Sequence, residues 1–390
     1  MASRVLTVAT LLAVVQLTGC AAFRSYDSEL QETNQQLASG NIDAALALLE
    51  KNNKGEDKDL LYYFEKGELL RSKGDLDGSQ TAWREADNVV FKWEESVKLD
   101  TAKYLGQFGS YLVNDKVRRY EGYDYEKVML TTQMALNQLA MNDFDGARAD
   151  IRKTHEREAL IARQRELEYE RIEEAAKAQG ARVHYKDLQG YPVVMLESPA
   201  VIALKNGYQS AFSHYLAGFT YEALGEKDLA APGYRQAIEL RPDMAFFQQA
   251  LRDLDSPGLK ADESDVLIIV QSGLAPARSS VRVPYPVKLA DGQVIVANVS
   301  FPVMVPDTST PAFNQVAIDG RQKKLIAVNS ITDMSLRTLR DDMPGIIQRT
   351  TYRAFLAADV QATDNRRDPS KASYVTHWDG FEQADTRTWR

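Results

Sequence analysis

Cys20 is the one cysteine of this 390-residue chain, and it stands directly behind Leu17-Thr18-Gly19. A thiol in that setting suits one reaction above others: alkylation of its sulfur by a diacylglycerol donor, with chain cleavage on its N-terminal side. What precedes it fits, since Arg4 gives a basic start and the run from Val5 to Leu17 is apolar but too short to span a bilayer. The alternative is an ordinary secretory signal with a chance cysteine, which would end in an Ala-x-Ala-like site. With the thiol consumed by lipid, neither disulfide nor cysteine chemistry remains. Other chemistry finds little support. His155, His184, His214 and His377 are dispersed, and none sits in a His-Glu-x-x-His or similar spacing. The chain has no Gly-x-Ser-x-Gly elbow, phosphate-binding loop or dinucleotide fingerprint. The expectation is therefore no catalytic residue, no metal and no cofactor.

The stretch Leu17 to Cys20 resembles the lipobox recognised by signal peptidase II, which makes residues 1–19 a lipoprotein signal peptide. Two or three acyl chains hold a protein stably where one does not. Ala21 and Ala22 follow the cysteine in place of the aspartate that retains lipoproteins at the inner membrane, so the expected address is the outer membrane with the soluble part in the periplasm. Removing residues 1–19 takes away Arg4 alone among the charged residues. That leaves 46 basic against 55 acidic residues, a net charge of −9. Such an acidic balance argues against a nucleic-acid partner, while 44% hydrophobic residues argue for packed domains.

The elements that would carry a binding surface are repeats. From Ala211 to Met244 the chain follows the tetratricopeptide pattern through His214, Ala217-Gly218, Tyr221, Ala230, Tyr234, Ala237 and Pro242. Gly218 and Ala230 allow two helices of a hairpin to approach, Tyr221 and Tyr234 fill the space between them, Gly225 makes the turn and Pro242 ends the second helix. His214 replaces the usual Trp and Ala217 the usual Leu; the bland role for His214 is a packed core residue. Weaker copies span about 26–59, with Gly40 and Ala45, and about 60–93, with Gly67, Trp83 and Ala86. A third covers about 128–161, with Met134-Ala135, Phe144, Ala147, Ile151 and Asn142 at the turn, a residue that tolerates the same left-handed backbone. Hairpins of this kind must stack to bury their apolar faces. Residues 94–127 interrupt the array with a Tyr- and Lys-rich helix and the loop from Arg119 to Glu126. Residues 153–180 form a long helix crowded with opposite charges, either a solvated face or a partner-binding arm.

Around Asp255-Ser256-Pro257-Gly258 the pattern changes. Val266 to Val270 reads as a buried strand, Ser280 to Val283 alternates, and Asp291-Gly292 is a hairpin signal before a strand from Val294 to Val305. Further strands are expected at Gln315–Ile318 and Lys324–Val328. Two helices follow, about Asn329 to Asp341 and Pro344 to Val360, with Pro344 in a first turn. The class is α+β: a helical repeat domain over 20–254 and a β-rich, sandwich-like domain with appended helices over 262–390. The polar stretch from Asp364 to Trp389-Arg390 supplies no closing element, so the domain is expected to be truncated.

The first helix of each hairpin should line the concave groove. Register from the strong repeat places Phe212, Tyr215, Phe219 and Glu222 there, and the second repeat offers Leu61, Phe64, Glu68 and Arg71. An aromatic groove suits an apolar helix or an extended peptide; packing of these rings on a neighbouring hairpin is the alternative. The Lys/Asn clamp for a C-terminal carboxylate is absent, because Tyr215 and Phe219 take its places.

The mature chain resembles a family of bacterial lipoproteins with tetratricopeptide repeats. The likeness rests on the lipobox, on Tyr120-Glu121-Gly122-Tyr123-Asp124-Tyr125-Glu126-Lys127-Val128, on the block from Ala135 to Arg152, on Gly273-Leu274-Ala275-Pro276 and on Asp385-Thr386-Arg387-Thr388-Trp389. It implies a gene that often neighbours those of lipoprotein activators of penicillin-binding proteins, which is an association and not a mechanism. The leading expectation is a non-catalytic envelope scaffold, anchored by lipid, that recruits a protein partner. A regulator of a peptidoglycan synthase is the more specific alternative, and an enzyme of unrecognised type is the third.

Overall fold

The computed structural model describes residues 26–56, 58–99, 120–179, 184–256, 262, 266–310, 313–376 and 384–390. Leu17, Thr18, Gly19, Cys20 and His377 lie outside the described residues, as does most of the helix expected after residue 94.

Turn geometry sets the helical half. Paired helices are α1 (Tyr26–Ala38) with α2 (Ile42–Asn52), α3 (Leu60–Lys73) with α4 (Leu76–Leu99), and α5 (Asp124–Ala140) with α6 (Phe144–Gln179). After the short α7 (Pro199–Ala203) come the paired α8 (Ala211–Ala223) and α9 (Lys227–Leu240), then α10 (Ala245–Asp253). Each of the four pairs turns at a left-handed residue: Gly40, Gly74, Asn142 and Gly225, with φ of 76°, 86°, 61° and 75°. These are the four turn positions expected from the repeats. Asp59 caps α3 by accepting from Tyr62 N (2.9 Å), and Ser210 caps α8 by accepting from Ser213 N (3.2 Å).

The α8/α9 pair shows why small residues are needed. A Cβ on Gly218 would sit 2.5 Å from the Tyr234 ring, and one on Gly233 would sit 2.7 Å from Gly218 N and 2.8 Å from His214 O. Backbone atoms cannot swing aside, so Gly233→Ala is expected to cost about 1–3 kcal/mol. Thermal melting followed by circular dichroism checks this; an unchanged midpoint would mean that the two helices stand further apart.

In the second half, β1 (Ala277–Lys288) and β2 (Val294–Val305) form an antiparallel hairpin with Ala277 opposite Val305 and Lys288 opposite Val294. Its turn contains Gly292 at φ 86°. A second, exposed hairpin joins β3 (Gln315–Ile318) and β4 (Arg321–Lys324). The helix α11 (Ile331–Arg367) lies on the first hairpin, and Met343, Ile346, Ile347, Ala354 and Ala358 close a core with Val283, Ile295, Val299 and Phe301. Tyr185, Leu188, Tyr191, Leu196 and Val201 join that core, although the sequence boundary placed them in the helical half.

The α+β class holds, with four differences from expectation. The described strands form two separate two-stranded sheets and no sandwich. Residues 325–328 are not in a strand. One helix replaces two: Pro344 lies inside α11, because the buried line through Leu339, Met343, Ile347, Thr350, Ala354 and Ala358 continues past it and outweighs one lost backbone bond. Residues 266–270 pair with no described strand; Leu267 and Ile269 pack on the α8/α9 core, while Val266, Ile268 and Val270 stay exposed.

Candidate functional site

The helical and β halves meet at the start of α5. Glu126, in the third position of that helix, accepts from Tyr123 N (2.7 Å) through Oε2, the same oxygen that receives the Tyr120 hydroxyl. This is the capping role a glutamate takes at a helix N-terminus. Its other oxygen, Oε1, accepts from Thr388 Oγ1 (2.9 Å) and Trp389 N (2.8 Å). On the facing helix, Glu65 Oε1 accepts from Arg390 N (2.8 Å). Two buried carboxylates thus receive consecutive backbone N–H groups of the segment 384–390. Between them the Trp389 ring stacks on Phe64 (centroids 4.7 Å apart) and meets Trp83 edge-on (6.0 Å). Trp83 is itself fixed by donating Nε1–H to Phe64 O (3.2 Å).

The same short stretch holds the other elements. The Arg278 guanidinium at the start of β1 lies 4.2 Å from the Tyr123 ring, and that of Arg387 lies 5.4 Å from the Tyr120 ring. Tyr125 shares a hydrogen bond with Thr388 Oγ1 (3.0 Å). Arg165 of α6 bridges Asp124 (2.7 Å) and Asp342 of α11. Burial acts upward on the Asp124 carboxyl, but Arg165 and then Lys127 hold it below its ordinary value. The Tyr120 and Tyr125 hydroxyls are pushed well up by burial and by Glu126.

Unlike Asp124, the two glutamates move upward. Burial pushes Glu65 up to about 8, with Glu68 and Glu126 adding to it, against the Arg390 N–H. Burial also raises Glu126 despite its donors. An unfolded glutamate titrates near 4.3, so the folded chain holds an additional proton on Glu65 above that pH. Its stabilisation is complete below about pH 4.3 and fades as pH rises through about 8. Chemical denaturation between pH 5 and 8.5 should show stability falling with pH, and Glu65→Gln, which keeps an acceptor oxygen, should remove most of that slope. An unaltered slope in the variant would assign the titration elsewhere.

The residues expected to line the groove are distributed as follows. Phe64 is fully buried in the cluster of α3, α4 and α5 that holds Trp389, and Leu61 lies beside it. Glu68 and Arg71 pair with each other (2.9 Å). Phe212 is buried; Phe219 is half-buried. Tyr215 packs among Tyr234, Phe246 and Phe247 (5.5, 4.9 and 5.6 Å), and Glu222 accepts from the Tyr234 hydroxyl (2.6 Å). The two sets therefore fall in separate clusters, and Phe64 and Phe212 are closed to a partner as they stand.

The charged helix α6 is not simply wet. Arg157 is buried and bonds to Glu94 (2.7 Å), Asp87 (3.0 Å) and Lys127 O (3.1 Å). Nearby, His155 and His214 stack (5.1 Å), and His214 Nε2 lies 3.0 Å from Glu158 Oε2. Burial and the adjacent ring lower His155. Among the described residues no group of three or more His, Cys, Asp or Glu side chains is placed to hold a metal ion, and no helix is long and apolar enough to cross a membrane.

Glu65, Glu126 and Trp389 were not singled out as site residues from the sequence. The Glu126 spacing from the helix start is a local signal, but the seat of Trp389 has none, because Glu126 lies 263 positions away from it and Phe64 and Trp83 lie further still.

No family model matches this sequence, and no curated protein matches it. Among solved structures, MamA aligns at 11% identity with a TM-score of 0.30, covering 57% of this chain and 81% of that one. A thermophilic tetratricopeptide protein of Thermus thermophilus gives 13% and 0.24 over 59% and 98%. The pilF protein of Pseudomonas aeruginosa gives 16% and 0.18 over 58% and 96%. The fold therefore rests on the hairpin geometry above.

Proposed function

We propose that this chain is a non-catalytic scaffold of the bacterial envelope, held at the outer membrane by lipid on Cys20, whose helical hairpins engage a protein partner. The observation that carries the protein-binding part is the seating of 384–390 on α3 and α5, through backbone N–H groups and one aromatic side chain. Stacked hairpins that receive an extended segment in this manner are built for peptide capture. The anchor rests on Leu17-Thr18-Gly19-Cys20 and the address on Ala21-Ala22.

Two measurements test the reading. Cys20→Ser should abolish incorporation of labelled fatty acid and move the protein from the membrane fraction to the soluble fraction. Retention of label would remove the anchor from the proposal. A crosslinked pull-down from intact cells with the lipidated protein should recover an envelope protein that the Cys20→Ser form recovers less well. A peptidoglycan synthase among the recovered proteins would narrow the role to regulation of that enzyme. Recovery of no protein would sink the scaffold reading.

A further inference from the structure

We infer that the cleft between α3, α4 and α5 is a recognition site for an extended partner segment carrying a hydroxyl residue, a tryptophan and a basic residue in succession. The chain's own Thr388-Trp389-Arg390 is its resident occupant. This rests on the scaffold reading and supplies the chemistry of the partner.

Three observations carry it. Two parts of the wall have anchors that do not involve the occupant: Trp83 is tied to Phe64 O and Glu126 to the α5 N-terminus. The contacts are those a peptide site reads. They comprise two backbone N–H groups, one hydroxyl and one ring, with the ring held between two aromatics. The basic residues are seated as well: the Arg387 guanidinium lies 5.4 Å from the Tyr120 ring, and Arg390 Nε donates to Ala275 O (3.4 Å). The one aromatic slot leaves a purely aliphatic segment without its stacking partners.

A segment tethered to its own site competes at an effective concentration in the millimolar range for short linkers. An outside peptide should therefore bind weakly to the wild type and strongly where the resident ring is removed. The probe is a fluorescent peptide of sequence 384–390, acetylated and amidated, titrated against full-length protein by anisotropy. Trp389→Ala should bind it saturably at about 100 µM or below, with wild type at least tenfold weaker. A peptide with alanine at its tryptophan position should not bind. Saturation-transfer NMR on wild type with about 1 mM peptide gives the reading if Trp389→Ala does not fold, and transfer to the tryptophan ring is expected there. Absence of binding in both measurements overturns the inference and makes the segment a fixed part of the core. A wild-type mass that rises with concentration, lost in Trp389→Ala, would overturn it in favour of a second copy as occupant. The pull-down reads any partner on any face, so it stands or falls independently of this titration.

Discussion

Trp389→Ala should lower the stability of the α3–α5 region by about 3–5 kcal/mol, the range for truncating a buried large aromatic. The residue is only 8% exposed, and its ring lies in a cluster with Leu60, Phe64, Trp83 and Met134. Stacked and edge-on contacts of this kind add about 0.5–1.5 kcal/mol beyond buried area. The loss extends to the backbone, because without the ring Trp389 N and Arg390 N are kept on Glu126 and Glu65 only through the contacts of Thr388 and Arg387, and the donors to two buried carboxyl groups are loosened. The variant should melt earlier, and Arg387, which is 5% exposed and paired with Asp385, should become a site for trypsin. Trp389→Phe keeps a ring to stack on Phe64 and should recover part of the loss. A Trp389→Ala protein that melts like the wild type and resists trypsin at Arg387 would show that the segment does not occupy the cleft in solution.

Local chemistry was legible in the sequence and remote pairing was not. Gly40, Gly74, Asn142 and Gly225 mark their turns because a left-handed backbone restricts residue type at one position. The strand from Val294 to Val305 and the strand Gln315–Ile318 follow from alternation and a hairpin turn, both short-range signals. The groove assignments illustrate the limit. Helical register places Phe64 on an inward face of α3, but it does not say that a segment more than 300 residues later covers it. Val266 to Val270 reads as a strand because its residues suit one; the missing information was the lack of a partner among the described strands and the presence of a helical surface beneath Leu267 and Ile269. Pro344 shows the converse, a strong local stop signal overridden by a continuous buried face. The nine residues from Tyr120 to Val128 have no role that the sequence alone reveals. The structure gives them one, as the place where α6, α11, β1 and 384–390 converge.

Arg157→Ala should be about as damaging as the loss of Trp389, for an electrostatic reason. On α6 the charges at residues 153–174 look solvated, because the sequence does not reveal that α4 presents Asp87 and Glu94 on its facing side. In the fold, Asp87, Glu94 and Arg157 are all buried, and the guanidinium bonds to both carboxylates and to Lys127 O. Taking the cation away leaves Glu94 without this partner and Asp87 with Lys153 alone of its two cations. Breaking a buried ion pair from one side costs about 3–5 kcal/mol. Arg157→Lys keeps the charge but loses the planar fork that reaches both acids, so an intermediate loss is expected. The pH dependence separates this from simple loss of packing. Burial works upward on Asp87, yet Arg157 and Lys153 together hold it below its ordinary value. A depressed carboxylate stabilises the fold above its unfolded pKa, and that stabilisation is lost as pH falls through the folded value. In Arg157→Ala much of that depression disappears, and the buried acid can take up a proton to relieve its unpaired charge. The gap between wild type and variant should therefore be widest near pH 7.5 and should narrow toward pH 4.5, as read by chemical denaturation at the two values. A gap of equal size at both would assign the loss to the side chain's packed stem and not to its charge.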